Sequence, residues 1–131
     1  MTLLPDSSIE GGHGPAGKPP LILEFTLAGA PMMILNGGPG HPQSWAASIS
    51  VLTETQDETD RLWTALTANG GQESRCGWLT DLWGVSWQIV PKRLPEMLGS
   101  PDRAAAGRAF AAMMQMGKLD LATLEAAFCG Q

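Results

Sequence analysis

The chain has 131 residues, 44% of them hydrophobic and 16% charged, which suits one folded unit of ordinary size and excludes a disordered composition. Thirteen acidic against eight basic residues give a net charge of -5, which excludes a nucleic-acid surface, since phosphate contacts need clustered Lys and Arg. No apolar run approaches the roughly eighteen residues of a membrane span, and residues 1–10 lack the basic start of a leader, so a cytoplasmic soluble protein is expected. Five tryptophans stand beside no tyrosine.

Residues Ser8 to Pro20 are rich in glycine and proline and read as a mobile or extended loop. Leu21 to Leu27 then alternates Leu21, Leu23, Phe25 and Leu27 against Ile22, Glu24 and Thr26, the pattern of a half-buried strand. Ala28-Gly29-Ala30 turns the chain, and Pro31 to Asn36 returns as the second arm of a hairpin. Gly37 to Pro42 is a connector between two halves.

A strand is expected from Trp45 to Thr53, followed by Thr55-Gln56-Asp57-Glu58 as a capping box at the start of a helix. That helix turns Leu62, Trp63 and Leu66 inward and stops at Asn69-Gly70. Gln72 to Val90 is strand-like, broken at Asp81 to Gly84, and carries Cys76. Helical signals begin beyond Pro91. Ser100-Pro101-Asp102 reads as the start of a helix with Ala106, Phe110, Met113 and Met114 on one face, ending at Gly117. A last helix starts at Asp120, with Leu119 and Leu124 at the spacing of a hydrophobic staple and Phe128 continuing the apolar side.

Cys76 and Cys129 have neither metal-type nor disulfide-framework spacing and are expected to be reduced, partly buried thiols. Arg75 is the one base beside Cys76, which makes a structural thiol the better reading than a nucleophile. His13 and His41, each in a glycine- and proline-rich stretch, read as surface imidazoles, and no Ser/His/Asp or Cys/His arrangement is evident. Gly37-Gly38-Pro39-Gly40 has no Lys-Ser/Thr after it, and Gly11-Gly12-His13-Gly14 has no strand-to-helix setting, so neither is a nucleotide loop.

Cys76-Gly77-Trp78-Leu79-Thr80-Asp81, Gly84 to Pro91 and Leu35-Asn36-Gly37-Gly38-Pro39 together resemble PhnB-like proteins of the vicinal oxygen chelate superfamily, which includes glyoxalase I, bleomycin-resistance proteins and extradiol dioxygenases. Within that superfamily the chain most resembles the subgroup that carries the label 3-demethylubiquinone-9 3-methyltransferase. The resemblance implies an α+β fold, with paired β-α-β-β-β modules forming a curved, mostly antiparallel sheet, plus C-terminal helices. It spans one glyoxalase-like domain over residues 1–131: an incomplete first module at 1–42, a second at 43–91 and a helical extension at 92–131. The family's first strand and helix precede a segment resembling Leu4 to Ile9, so truncation, or a strand supplied by a second subunit, is expected, and with it a homodimer.

Superfamily enzymes hold a divalent metal with His, Glu or Gln. Matched by strand, this chain offers Ser48 or Ser50 and Gln88, with Glu24 an outlying candidate, so no metal or other cofactor is expected. Methyl transfer would call for a glycine-rich first loop and a parallel sheet, which the sequence lacks. The expected site is a small-molecule cup. Trp78 and Trp87, with Trp45, Met33 and Phe25, wall it, and Asn36, Ser48, Ser50 and Gln88 are its polar contacts. A non-catalytic structural protein and a metal-dependent lyase or dioxygenase are the alternatives.

Overall fold

The computed structural model describes residues 8–14 and 16–131 and divides into two compact units, 1–42 and 43–131. The resemblance drawn from Leu4 to Ser7 lies outside the described residues.

The amino-terminal unit is an antiparallel sheet, β1 (Ser8–His13), β2 (Ile22–Leu27) and β3 (Ala30–Leu35), in the order β1-β2-β3. The two-residue turn Ala28-Gly29 joins β2 to β3, with φ of 48° and 81°. Two successive left-handed residues twist a hairpin with the hand of its strands, and glycine takes that conformation without strain. The expected loop at Ser8 to Pro20 is corrected in its first half, where pairing with β2 draws residues 8–13 into a strand, including the backbone of His13. A register shift between Ile9 and Gly11 lets this glycine-rich segment pair despite its weak intrinsic preference.

The carboxy-terminal unit opens with a β-α-β-β-β module: β4 (Ile49–Thr53), α1 (Gln56–Thr67), β5 (Gln72–Glu73), β6 (Trp78–Thr80) and β7 (Ser86–Pro91). The strand order is β4-β7-β6-β5, with β4 parallel to β7 and the other pairs antiparallel. The capping box forms as the sequence predicts: Thr55 Oγ1 accepts from the backbone N–H of Glu58 at 3.2 Å. Glu58 Oε2 accepts from the N–H of Glu54 at 2.8 Å, one residue before the cap itself. At the other end, Asn69 and Gly70 both turn left-handed, which stops the helix.

Leu62, Trp63 and Leu66 of α1 are buried, as are Leu79, Trp87 and Ile89 of the strands that α1 packs against. Thr53 and Thr59, also buried, satisfy one another through a 2.7 Å hydroxyl contact.

Three helices follow, α2 (Arg93–Leu98), α3 (Arg103–Met113) and α4 (Leu121–Cys129). Leu94, Met97, Ala109, Leu119 and Leu124 form their core, with Val90 packed against it. The predicted staple at the start of α4 is present: Leu119 and Leu124 are fully buried, and Asp120 Oδ1 accepts from the N–H of Thr123 at 2.8 Å.

Other expectations shift. The strand expected from Trp45 begins only at Ile49, because Ser44 Oγ accepts from the N–H of Ala46 at 3.2 Å and bends the chain there. Cys76 lies in a turn with φ 56°, its N–H donated to Met116 O at 2.8 Å instead of to a strand. Within the expected start Ser100-Pro101-Asp102, the cap of α3 is Asp102, whose carboxylate accepts from the N–H of Ala105 at 3.0 Å. The helix ends at Met113, short of Gly117. It buries Ala105, Ala106 and Ala109, whereas Phe110 and Met114 are 51% and 45% exposed. Small side chains let the helices approach closely, so the alanine stripe displaces the larger residues from the contact. Cys129 is exposed, not partly buried. No helix among the described residues is long and apolar enough to cross a membrane.

Candidate functional site

Strand register decides which candidates share a surface, because side chains alternate between faces and paired residues lie side by side. Ile49, Trp87 and Leu79 form one row across β4, β7 and β6. Ser50, Gln88 and Trp78 form the next. The first row is buried under α1. The second lies on the opposite face, which it shares by register with Leu52 and Val90 and with Gln72, Thr80 and Ser86; Val90 packs there against the helical core and Ser86 is buried, so the open part of the face is that around Ser50, Leu52, Gln72, Trp78 and Gln88.

Gln88 is the centre of that row. Its Nε2 donates to Ser48 Oγ at 2.9 Å, so the segment before β4 holds the amide in one orientation. Its Oε1 accepts from no described residue. Ser86 Oγ donates to Ser44 O at 3.2 Å and ties the same segment to β7 a second time. Trp45, between these two anchors, meets the Trp78 ring edge-on, with centroids 5.8 Å apart and planes at 62°. Trp45 remains 48% exposed and Leu52 56% exposed. The surface thus has an aromatic end, an apolar flank and a fixed amide between serine hydroxyls.

Trp87 does not belong to it. Its indole Nε1 donates to Asp81 Oδ2 at 2.9 Å on the buried side, and consecutive strand residues cannot share a face, so its place in the predicted pocket is corrected. Asp81 was missed as a structural residue. It is 6% exposed, and its Oδ1 accepts from the N–H groups of Trp83 and Val85 at 2.9 and 3.0 Å, holding the β6–β7 turn. An aspartate three residues before a turn glycine, Gly84, was the available signal.

Asn36 lies in the amino-terminal unit, where its Nδ2 donates to Pro20 O at 2.5 Å and its backbone N–H to Leu21 O at 2.7 Å. Phe25 and Met33 belong to that unit too.

Every side chain within the paired rows of this face is uncharged, and the next position of the same alternation carries the Lys92–Glu54 ion pair at 3.2 Å. Where the resemblance puts metal ligands stand Ser48, Ser50 and Gln88, two of them bonded to each other, and such neutral donors do not fit a divalent cation. Among the described residues no three His, Cys, Asp or Glu side chains cluster as metal ligands. The carboxyls held below their ordinary range lie elsewhere: Asp60 on α1, beside Lys118 and Gln56, and Asp120 at the α4 cap, bonded to Thr123.

A sequence profile described as 3-demethylubiquinone-9 3-methyltransferase matches residues 4–90. No curated protein matches the chain. Among solved structures, a putative 3-demethylubiquinone-9 3-methyltransferase, a PhnB protein from Bacillus cereus, is 27% identical with a TM-score of 0.59, over 68% of this chain and 82% of that one. Protein PA1353 from Pseudomonas aeruginosa shares the fold at 21% identity and a TM-score of 0.51, over 64% of this chain and 77% of that one. The profile spans the β2–β3 hairpin and the β-α-β-β-β module nearly to its end, and the chain accordingly belongs to the 3-demethylubiquinone-9 3-methyltransferase, or PhnB-like, family.

Proposed function

We propose that this PhnB-like protein binds a small organic molecule on the open face of its carboxy-terminal sheet. The observation that carries the reading is the row Ser50–Gln88–Trp78, in which the amide is fixed by Ser48 and its oxygen accepts from no described residue. Binding sites combine apolar and aromatic surface with a few oriented polar groups, and this face has that composition. Methyl transfer is not part of the proposal, since the module is a β-α-β-β-β sheet and not the parallel nucleotide-binding kind.

A homodimer is the second element. Met33, Ile34 and Leu35 on the edge strand β3 are exposed, and an apolar edge strand favours pairing with another chain. If assembly were the protein's whole role, the open face would hold no ligand.

The test is ligand screening by NMR on the full chain labelled with 5-fluorotryptophan, with Trp78→Phe assigning the reporter signal. Aromatic compounds should move the Trp78 resonance and leave that of buried Trp63 unchanged. Equal movement of both, or of neither, would remove the reading. Light scattering over a range of concentrations reads the oligomeric state, and a monomer throughout would remove the dimer.

A further inference from the structure

We propose a separate binding site, in the cleft between α2 and α3, for a small organic monocarboxylate with an apolar body. The cleft has a volume of about 340 Å³ and is lined by Leu98, Arg103, Ala106, Gly107 and Phe110. That volume lies at the lower end of small-molecule sites and holds about ten non-hydrogen atoms.

Arg103 is the first residue of α3, and its side chain reaches the end of α2. Its Nη1 donates to Leu98 O and to Ser100 O, both at 3.0 Å, so both N–H groups of that nitrogen are used and two backbone carbonyls hold the guanidinium. Nε and Nη2 donate to no described residue, and together they form the fork that receives the two oxygens of a carboxylate. Among the described residues no carboxylate pairs with this cation. Asp102, its chain neighbour, caps α3 through the N–H of Ala105, and Glu96 on α2 is paired with Arg93.

Arg103, Gly107 and Phe110 are spaced four and three residues apart, which places them on one face of α3. Phe110 is half-exposed there, and Gly107 lies between the ring and the cation. Glycine is unfavourable inside a helix, and here no close neighbour requires it: a Cβ at Gly107 would meet no other side chain, and no backbone outside its own turn, within 4 Å. Its effect is to leave the floor of the cleft open from cation to ring. A single cation with apolar walls selects a monoanion. An ammonium would meet like charge, a neutral molecule would forgo the fork, and a dianion would bring a second charge to be desolvated with no second partner.

The full chain labelled with fluorophenylalanine, with Phe110→Leu assigning the reporter signal, tests the site with phenylpropionate, phenylpropionamide and phenylpropylammonium. Phenylpropionate should move the Phe110 resonance, leave that of Phe25 in place and bind about tenfold more tightly than the amide, as a charge-assisted pair requires. The ammonium should bind most weakly. Arg103→Gln should bring phenylpropionate down to the level of the amide. Gly107→Leu puts a better helix former on the floor of the cleft, so it should leave the unfolding midpoint no lower and weaken phenylpropionate by about tenfold or more. Equal binding of acid and amide by the unsubstituted protein would overturn the carboxylate, and this comparison needs no variant to fold. Unchanged binding to a folded Gly107→Leu protein would overturn the cleft, as would an unmoved Phe110 signal with every probe. The sheet face is read at Trp78 and this cleft at Phe110, so the two readings fail separately.

Discussion

Trp87 and Gln88 are neighbours in the chain and serve opposite sides of one strand, the indole N–H donated to Asp81 at 2.9 Å under the helix and the amide N–H to Ser48 at 2.9 Å on the open face. The two substitutions should therefore separate stability from binding. Trp87→Phe replaces the indole by a smaller ring, leaving a cavity in the core and Asp81 Oδ2 without its partner, which together should cost about 2–5 kcal/mol in urea unfolding. Ligand affinity at the open face should be unchanged. Gln88→Met should do the reverse, with stability within about 1 kcal/mol of the starting protein and binding reduced. A Trp87→Phe protein that loses affinity in proportion to stability would show the two faces to be coupled.

The hydroxyls of Thr53 and Thr59 face each other at 2.7 Å in a fully buried position between β4 and α1. Thr59→Val should destabilise the protein by about 1–3 kcal/mol, because Thr53 is left buried without a partner. Thr53→Val should do the same. The double substitution removes both polar groups and should cost less than the sum of the singles. Denaturant midpoints for the four proteins form the cycle, and strict additivity would contradict it.

Gly77 follows the left-handed Cys76 with φ 82°, and a Cβ there would sit 2.8 Å from the carbonyl oxygen of Ile89. Its N–H is donated to Gly117 O and its own O accepts from Ile89, both at 2.8 Å, so the backbone has little freedom to yield. Gly77→Ala should cost more than about 1 kcal/mol, whereas Gly29→Ala, with the same sign of φ but open space, should cost less. Thermal unfolding of the pair reads the difference. Equal losses would mean that left-handed strain alone, and not the contact with Ile89, sets the cost.

The hairpin, the capping box, the inward face of α1 and the Leu119–Leu124 staple were legible because each is written in local spacing. Trp87 was misplaced because the sequence marks it as apolar within a strand but does not give register; Ile89 and Leu79, once paired with it, settle its face. The strand at Ser8 to His13 was hidden for a related reason, since its pairing comes from β2 and not from its own glycines. On α3, Phe110 and Met114 outrank Ala105 and Ala109 in hydrophobicity, but close helix packing favours the small residues. Ser48, Ser50 and Gln88, the polar members of the proposed site, were singled out by matching strands to the family. Their use was not, because the Ser48–Gln88 bond depends on a bend at Ser44 that alternation reads as strand.

Acid should loosen the start of α4 and its contact with α1. Asp120 is held below its ordinary 3.8 by its hydrogen bonds to Thr123, and Asp60 is held below the same value by Lys118, at 2.8 Å, and Gln56. Gln56 also joins the two regions, donating to Leu119 O at 3.1 Å and accepting from Leu121 N at 2.8 Å. A carboxyl whose folded value is depressed contributes stability that is present above the unfolded value and lost as pH falls through the folded one. The loss should begin as pH drops toward 3.8 and continue below it. Asp120→Asn should remove part of this acid-limb slope. At neutral pH it should cost little, because asparagine still caps a helix. Asp120→Ala should lower stability at both pH values. Urea midpoints at pH 7 and pH 3 for the three proteins make the comparison, and an unchanged acid limb in Asp120→Asn would assign the slope to other carboxyls.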